Sequence, residues 1–544
     1  MAGNDPGQLA SLKVAVIGSG LSAVGAIKAL KKIGIKPIVL DQGERLEDDR
    51  AQQVESLSRT APDEWKPEAR DWLNQNESLN DGRSIPKKLV FGSEYFYGAS
   101  RKEAPVQAVG NLPAFSYALG GLSSGWGASV LPPQACDLSD WPVSADELNE
   151  YCKIVLTGLP YSASEDGLSL NFPLLSNKTK SLRLSRAEKH MLDSFSKASI
   201  LKKDEVVFGQ SRVMISPEST GEWVGCKYCG QCMSGCVYKS IYKAGDDILA
   251  MREKGEIDYL PGCLVVSLAE TGEKTTIHYL DREGQLHQRE FDRVFLAAGA
   301  VNSTRIVMNS LNLFEEKALL KSRGGFVIPA LSLQKLPADW PNCNTEPGLF
   351  LEFRGKELDH WVHVQISTEN ELLLQKLGVQ TAGQGPLGRL KRFIASHLFL
   401  IFVNYHSDHS GTYELRITPS PDSNKNSGLH TVHRKSFPKP GVLWATGLKL
   451  LSLFLKIGCL PLLPFAKLNS GSYHVGGTLP MKAQPNSRLE SDTLGRVGPW
   501  KRVHVVDSSV FPSLPGTTIG LLLMANAYRI VDKIQWTHRS GESK

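Results

Sequence analysis

The chain has 544 residues, 41% hydrophobic and 22% charged, which is ordinary globular usage and excludes disorder for the bulk of it. A net charge of +6 over that length is too dilute for a dedicated nucleic-acid binder, and no run of 18 apolar residues marks a membrane span. Residues 1–12 are polar, without the basic patch and apolar core of a signal peptide, so the expected compartment is the cytoplasm, where nine cysteines stay reduced.

Lys13-Val-Ala-Val-Ile17 predicts a short buried strand that runs straight into Gly18-Ser-Gly20-Leu-Ser-Ala23. A helical pattern follows through Ala26, Ile27 and Leu30 to Gly34, and Pro37-Ile-Val-Leu-Asp41 predicts the next strand. Strand, glycine turn, helix, strand and acid in that order form a dinucleotide fingerprint. Gly18 makes the tight turn, Gly20 lets the backbone approach a pyrophosphate, and Ala23 lets the helix pack close to the strand. Phosphates would sit on the helix N-terminus, where N–H groups are unpaired. Asp41 is placed to accept hydrogen bonds from a ribose. The fingerprint alone does not separate FAD from NAD.

Residues 46–90 are charged and loop-rich with short helices, and 143–200 read as mostly helical. Between them lies Leu119-Gly-Gly-Leu-Ser-Ser-Gly-Trp-Gly127, followed by Asp140-Trp-Pro142. Cys226, Cys229, Cys232 and Cys236 then fall within eleven residues, at a spacing that matches the iron–sulfur run of bacterial ferredoxins. Val237 stands where that run has proline, and no second run closes the set. An iron–sulfur cluster, a structural zinc and a metal-free loop all stay open, with Gly230 and Gly235 relieving backbone crowding around a bulky group. Cys136, Cys152, Cys263, Cys343 and Cys459 are scattered and read as small buried hydrophobes.

Asp292-Arg-Val-Phe-Leu-Ala-Ala-Gly-Ala300 predicts a strand ending in small residues, where a cofactor or chain passes close to the backbone. Residues 345–420 alternate apolar and polar, as in Trp361-Val-His-Val-Gln-Ile366, and predict antiparallel strands. His406 and His409 flank a strand end with no third ligand evident, so they read as structural. Leu448–Ile457 predicts a helix with a wide apolar face and Lys449, Ser452 and Lys456 on one stripe; it either packs on the core or touches lipid. Arg502-Val-His-Val-Val-Asp507 is a strand ending in an acid, and a turn-rich loop leads from it into a helix over 519–534.

Four blocks together resemble the glucose–methanol–choline flavin oxidoreductases: the N-terminal fingerprint, the 119–127 loop, Leu296-Ala-Ala-Gly-Ala-Val-Asn-Ser303, and Tyr473-His-Val-Gly-Gly-Thr478 with Val505–Pro512. They occur in order and span nearly the whole chain. The resemblance implies an α/β fold with a discontinuous Rossmann-type FAD domain (12–45, 85–135, 205–310 and 495–540) and an inserted α+β substrate domain on an antiparallel sheet (136–204 and 311–494). Residues 46–84 would cover the FAD. It implies FAD contacts from Gly120, Gly121, Ser123, Ser124, Trp126, Val265, Ala298, Gly299, Asp507 and Ser508, besides Gly18, Gly20, Ala23 and Asp41.

The implied activity is hydride transfer from an alcohol, such as a sugar or lipid-linked sugar, to flavin N5, with His474 as general base. The family usually has a second His or Asn before a proline in the C-terminal loop; Thr518 stands there, without the proline. A hydroxyl is a poor base near neutral pH, so a reductase or redox-neutral flavoenzyme on a keto substrate, or an electron-transfer flavoprotein, stays open. A cluster at the cysteines would be an electron exit and favours a dehydrogenase. The electron acceptor is not legible, and peripheral membrane contact is the remaining partner expectation.

Overall fold

Val14–Ile17 is four consecutive apolar residues, all buried, as a strand covered on both faces must be. It lies at the centre of a five-stranded parallel sheet in the order Val503–Val505, Arg293–Leu296, Val14–Ile17, Ile38–Asp41, Asp258–Pro261. The computed structural model describes residues 11–75, 88–177, 179–379, 383–420, 426–435, 438–469 and 473–536. The expectations for 1–10, for 76–84 of the covering segment, and for 85–87 and 537–540 of the cofactor segments lie outside the described residues.

The fold is the expected α/β class: a doubly covered parallel sheet joined to antiparallel sheets. Helices Leu21–Lys32 and Gly520–Lys533 pack against each other beside the parallel sheet. Their closest approach is at Gly25, where a Cβ would run into the Met524 backbone. Ala23 is fully buried near that contact, but Gly25, which sequence reasoning passed over, is the position that admits no side chain. A three-stranded meander, Leu264–Thr271, Lys274–Leu280 and Leu286–Phe291, follows the last strand of the first half.

The second layer system holds the substrate side. Its larger sheet runs Cys459–Pro461, Gly325–Ser332, Leu398–Asn404, Leu358–Ser367, Leu349–Gly355, Val206–Gln210, all antiparallel, with Lys467–Asn469 also pairing Gly325–Ser332. Val206–Gln210 therefore sits in this sheet, although it falls in a segment expected for the cofactor side. A smaller sheet places Val475–Gly476 beside Ala318–Ser322, which pairs Thr412–Thr418. The helix expected over 448–457 begins earlier and spans Pro440–Leu455, because Pro440 can occupy its first turn.

In the covering segment, Asp48–Ser58 and Pro67–Leu73 are helical. Over 143–200 only Ala145–Leu156 and Arg186–Lys197 are α-helical; the capping box of Ser185 and Glu188 sets the start of the second. The rest of that stretch is mostly loop.

Candidate functional site

One cavity of about 370 Å³ opens between the parallel sheet and the larger antiparallel sheet. Its floor is glycine turn. Gly18 has φ +102°, and a Cβ there would strike the Ala297 carbonyl. A Cβ on Gly20 would meet only the Gly120 carbonyl, at 3.9 Å, and would otherwise project into the cavity. Gly120, at φ +84°, abuts Gly245, and Gly121 lies against Gly20. Two turns 100 residues apart thus form one backbone cradle ahead of the N-terminus of Leu21–Lys32, the arrangement that suits a pyrophosphate.

Ser123 lines this cradle, but its hydroxyl bonds the Gly120 carbonyl at 2.6 Å and accepts from Ala244 N–H at 3.0 Å. Ser124 donates to the Leu119 carbonyl at 2.8 Å and does not line the cavity; Ala23 does not line it either. Both serines brace the turn. Trp126 lines the cavity with its indole N–H fixed on the Tyr242 carbonyl at 2.6 Å. Val265, Ala298, Gly299, Asp507 and Ser508 line the remaining wall. Asp507 is committed: one oxygen takes Gly299 N–H at 2.9 Å and the Ser303 hydroxyl at 2.5 Å, the other takes the Ser509 N–H and hydroxyl. Ser508 donates to the Val475 carbonyl at 2.7 Å, tying the C-terminal loop to the strand after His474.

Asp41 ends its strand at the far side of the cradle. Ser19 donates to its carboxylate, and Tyr259 donates at 3.1 Å. Burial pushes the carboxyl up to about 6, with those hydrogen bonds pulling it back down. Gln42, next to it, lines the cavity with a buried side-chain oxygen that no protein group satisfies. An orphaned acceptor beside a carboxylate at the end of a glycine cradle fits the hydroxyl-rich end of a dinucleotide.

The opposite end of the cavity is built from side chains. His474 is half-buried and faces the cavity; burial and then the positive charge of Arg323 hold its pKa well below the usual histidine value, so the ring is neutral at neutral pH. Thr518 is buried and accepts a hydrogen bond from Leu131 N–H at 2.9 Å, which leaves its own proton directed elsewhere. The chain brings both residues to the same cavity.

Arg323, Gln365, Lys88 and Glu346 also line it, and sequence reasoning missed all four. Arg323 donates to the Thr517 carbonyl at 2.8 Å, and its backbone N–H binds the His474 carbonyl at 2.9 Å. Desolvation brings its guanidinium down to about 9. Behind it, fully buried His363 and Glu352 share a 2.5 Å hydrogen bond, and Gln365 bonds the other ring nitrogen at 3.0 Å. Burial raises the Glu352 carboxyl and lowers the His363 ring, so it disfavours the charged form of each. The available signal was strand parity: His363 and Gln365 share one face of their strand, opposite the apolar run Val362, Val364 and Ile366. Lys88 and Glu346 form a buried 2.8 Å ion pair at the wall, and Tyr97 meets Tyr473 at the mouth through a 2.6 Å hydroxyl contact.

In shape the chain is similar to a solved enzyme. That enzyme is pyridoxine 4-oxidase from Mesorbium loti, with a TM-score of 0.59, 14% identity, and coverage of 97% of this chain and 100% of that one. No family model and no curated protein matches the sequence. The likeness to pyridoxine 4-oxidase is one of fold, and it extends over both the parallel sheet and the antiparallel sheets described above.

The cysteine loop lies behind the same cavity: Met233, between Cys232 and Ser234, lines it. Nine cysteines are free thiols. Four N–H groups point at the loop's sulfurs: Tyr228 N and Asn344 Nδ2 at Cys226 (3.4 and 3.6 Å), Thr345 N at Cys232 (3.4 Å) and Ser240 N at Cys236 (3.2 Å). Burial raises the thiols of Cys226, Cys229 and Cys232, and negative charge on neighbouring loop sulfurs raises each further. Among the described residues, no three of these sulfurs come within 4.8 Å of one another, so the loop does not present a preassembled tetrahedral zinc site, whose sulfurs each lie about 2.3 Å from one ion. The space beside Gly230 is taken by the Pro341 backbone and that beside Gly235 by the Phe91 ring; crowding by the protein itself explains both glycines.

His406 does have companions: His360 and Asp408 bring ligand atoms within 4.8 Å of it. Both its ring nitrogens are nonetheless occupied, Nε2 by the Asp137 carbonyl at 3.1 Å and Nδ1 by Asp408 N–H at 3.3 Å, and its ring stacks on His360 at 3.7 Å. The structural reading stands on those contacts.

Proposed function

We propose that the chain is an FAD-dependent oxidoreductase of the glucose–methanol–choline type that oxidises an alcohol, with His474 taking the hydroxyl proton. The observation that carries this is the single cavity: a glycine cradle and Asp41 at one end, neutral His474 at the other. FAD, when bound, supplies a hydride acceptor. The fold neighbour is, by name, a pyridoxine 4-oxidase, which is in keeping with an oxidoreductase.

The residues divide the work. Gly18, Gly20 and Gly120 shape the cradle, and Asp41 receives ribose hydroxyls. His474, held neutral, accepts a proton at an imidazole nitrogen. Arg323 fixes the His474 backbone and places positive charge where a substrate alkoxide develops negative charge. Thr518 donates its hydroxyl proton as a hydrogen bond to substrate, since its oxygen is already engaged with Leu131. Tyr97 and Tyr473 narrow the mouth and limit water. This polar end of the cavity favours an enzyme over an electron relay, which needs neither a base nor a cation for an organic substrate. The direct test is anaerobic: purified protein carries flavin, and alcohols are screened for bleaching it. A colourless protein that takes up no FAD overturns the reading.

We further propose that Cys226, Cys229, Cys232 and Cys236 would hold an iron–sulfur cluster as thiolates. What supports this is the set of N–H groups aimed at sulfur together with the loop's place against the cavity wall. Such a cluster, when present, supplies one-electron transfer. Anaerobically purified protein should contain iron and acid-labile sulfide in step with flavin, and Cys229→Ser should lose both the iron and the sulfide while keeping flavin. Wild type with flavin and no iron or sulfide leaves the loop as structure only.

A further inference from the structure

We propose that the outer faces of helices Pro386–Ala395 and Pro440–Leu455, joined through Leu333, form a docking surface for an anionic lipid bilayer. Pro440–Leu455 is apolar on both sides. Its inner row, Val442, Leu450 and Leu453, is buried against Phe399, Ile401 and Val403 of the larger sheet. Its outer row carries Trp444, 72% exposed, with Leu448 and Leu455 four and eleven positions on, hence on the same side. The inner row is already in the core, so the exposed outer row, with Lys449, Ser452 and Lys456 to one side of it, is left for a further apolar partner.

Pro386–Ala395 buries only Gly388; Leu390 and Phe393 stand in solvent. The two helices end at one place. Ser332 N–H binds the His397 carbonyl at 2.8 Å, just past the first helix, and Leu333 N–H binds the Gly458 carbonyl at 2.9 Å, just past the second. Leu333, between them, is 76% exposed. The exposed apolar residues at the two helix ends therefore meet at Leu333.

Charge decides what covers it. Residues 383–397 and 438–469 contain seven lysines and arginines and no acid. The carboxylates that reach this face come from its flanks: Glu205 beside Lys449, and Glu357 beside Gly441. An apolar stripe inside a cationic rim matches acyl chains beneath phosphate headgroups. A second copy of the chain would bring an equal cationic rim against this one in a two-fold pairing. Among the described residues no helix is long and apolar enough to cross a membrane, so the mode is lying on the surface.

The helix packs on the side of the sheet away from the cavity, since Phe402, between Ile401 and Val403, lines the cavity instead. Docking is thus separable from the proposed reaction. The test is flotation of the full-length protein with vesicles of phosphatidylcholine plus phosphatidylglycerol, against phosphatidylcholine alone. Binding to the anionic vesicles should be stronger by roughly tenfold or more and should weaken with salt. Trp444→Glu with Leu390→Glu should abolish it. Arg389→Glu with Lys456→Glu, both on exposed positions, should remove the preference for anionic lipid and keeps the test decisive if the first pair unfolds. Equal flotation of wild type and variants, no flotation at all, or a wild-type dimer in light scattering that Trp444→Glu splits without any vesicle binding would each overturn the proposal.

Discussion

The cradle end of the cavity is made of backbone, and the His474 end is made of side chains. Gly18, Gly20, Gly120 and Gly121 come from two short turns, and the shape they make depends on missing Cβ atoms. Glu352, His363 and Gln365 come from two paired strands, Arg323 and His474 from the loop ends beside two others, and their arrangement depends on sheet order and side-chain parity. A backbone site tolerates no added atoms. A side-chain site tolerates substitution but is tuned by its charges. Each end should fail in its own way.

The largest effect belongs to the cradle, and the two fingerprint glycines should separate. Gly20→Val fills open cavity and strains nothing else, so the protein should fold with the melting temperature of flavin-free wild type and lose flavin by on the order of 10²-fold or more in affinity. Gly18→Val meets the Ala297 carbonyl at a positive φ, so it should reduce soluble yield as well. Absorbance at the flavin bands and a thermal melt report both. Normal flavin content in Gly20→Val would remove the cradle from cofactor binding.

At the other end, His474→Ala should leave flavin bound and slow its anaerobic reduction by an accepted alcohol by on the order of 10²-fold. Near-normal reduction would take His474 out of the chemistry and revive the relay reading. Because His474 is neutral well below the usual histidine range, reduction by wild type should be flat from neutral pH down past that range. Arg323→Gln removes a positive charge that disfavours the imidazolium, so the His474 pKa rises and the acid limb should move to higher pH. An unmoved limb would mean that burial alone sets the histidine.

The same contrast explains what was legible. Gly18 to Asp41 is contiguous, and each residue type is forced by local geometry, so its strand, turn and acid could be read directly. His474 and Thr518 were found only because their blocks resemble a family's, and the structure does bring them to one cavity. Arg323 carried no local signal and His363 only its strand parity: their side chains matter through which strands neighbour which, and a chain with an inserted sheet hides that order. Ser124 was taken as a cofactor contact from the resemblance of its loop, and its hydroxyl holds the Leu119 carbonyl instead; Ala23 is buried in the helix packing that the fingerprint assigns it. Val206–Gln210 was assigned by its place in sequence, although its hydrogen bonds run to Leu349–Gly355.

The smallest effect tests whether the acid at the cradle belongs to the cofactor. Burial holds the Asp41 carboxyl up at about 6, above the value near 3.9 of an unfolded chain. In the flavin-free protein this group therefore favours folding at low pH, and that contribution is lost as pH rises through about 6. Ribose hydroxyls donating to the carboxylate favour its ionised form, so FAD binding should release a proton there. Affinity should rise with pH up to about 6 and then level, changing by at most about tenfold between pH 5 and pH 6. Tyr259→Phe deletes a 3.1 Å hydrogen bond to the carboxylate, which raises its pKa further and should shift the levelling point to higher pH. Equilibrium dialysis of FAD against wild type and Tyr259→Phe across pH 5 to 8 measures both. Affinity that does not change with pH in either protein would place the ribose away from Asp41, and the orphaned Gln42 oxygen would then be the acceptor left to hold it.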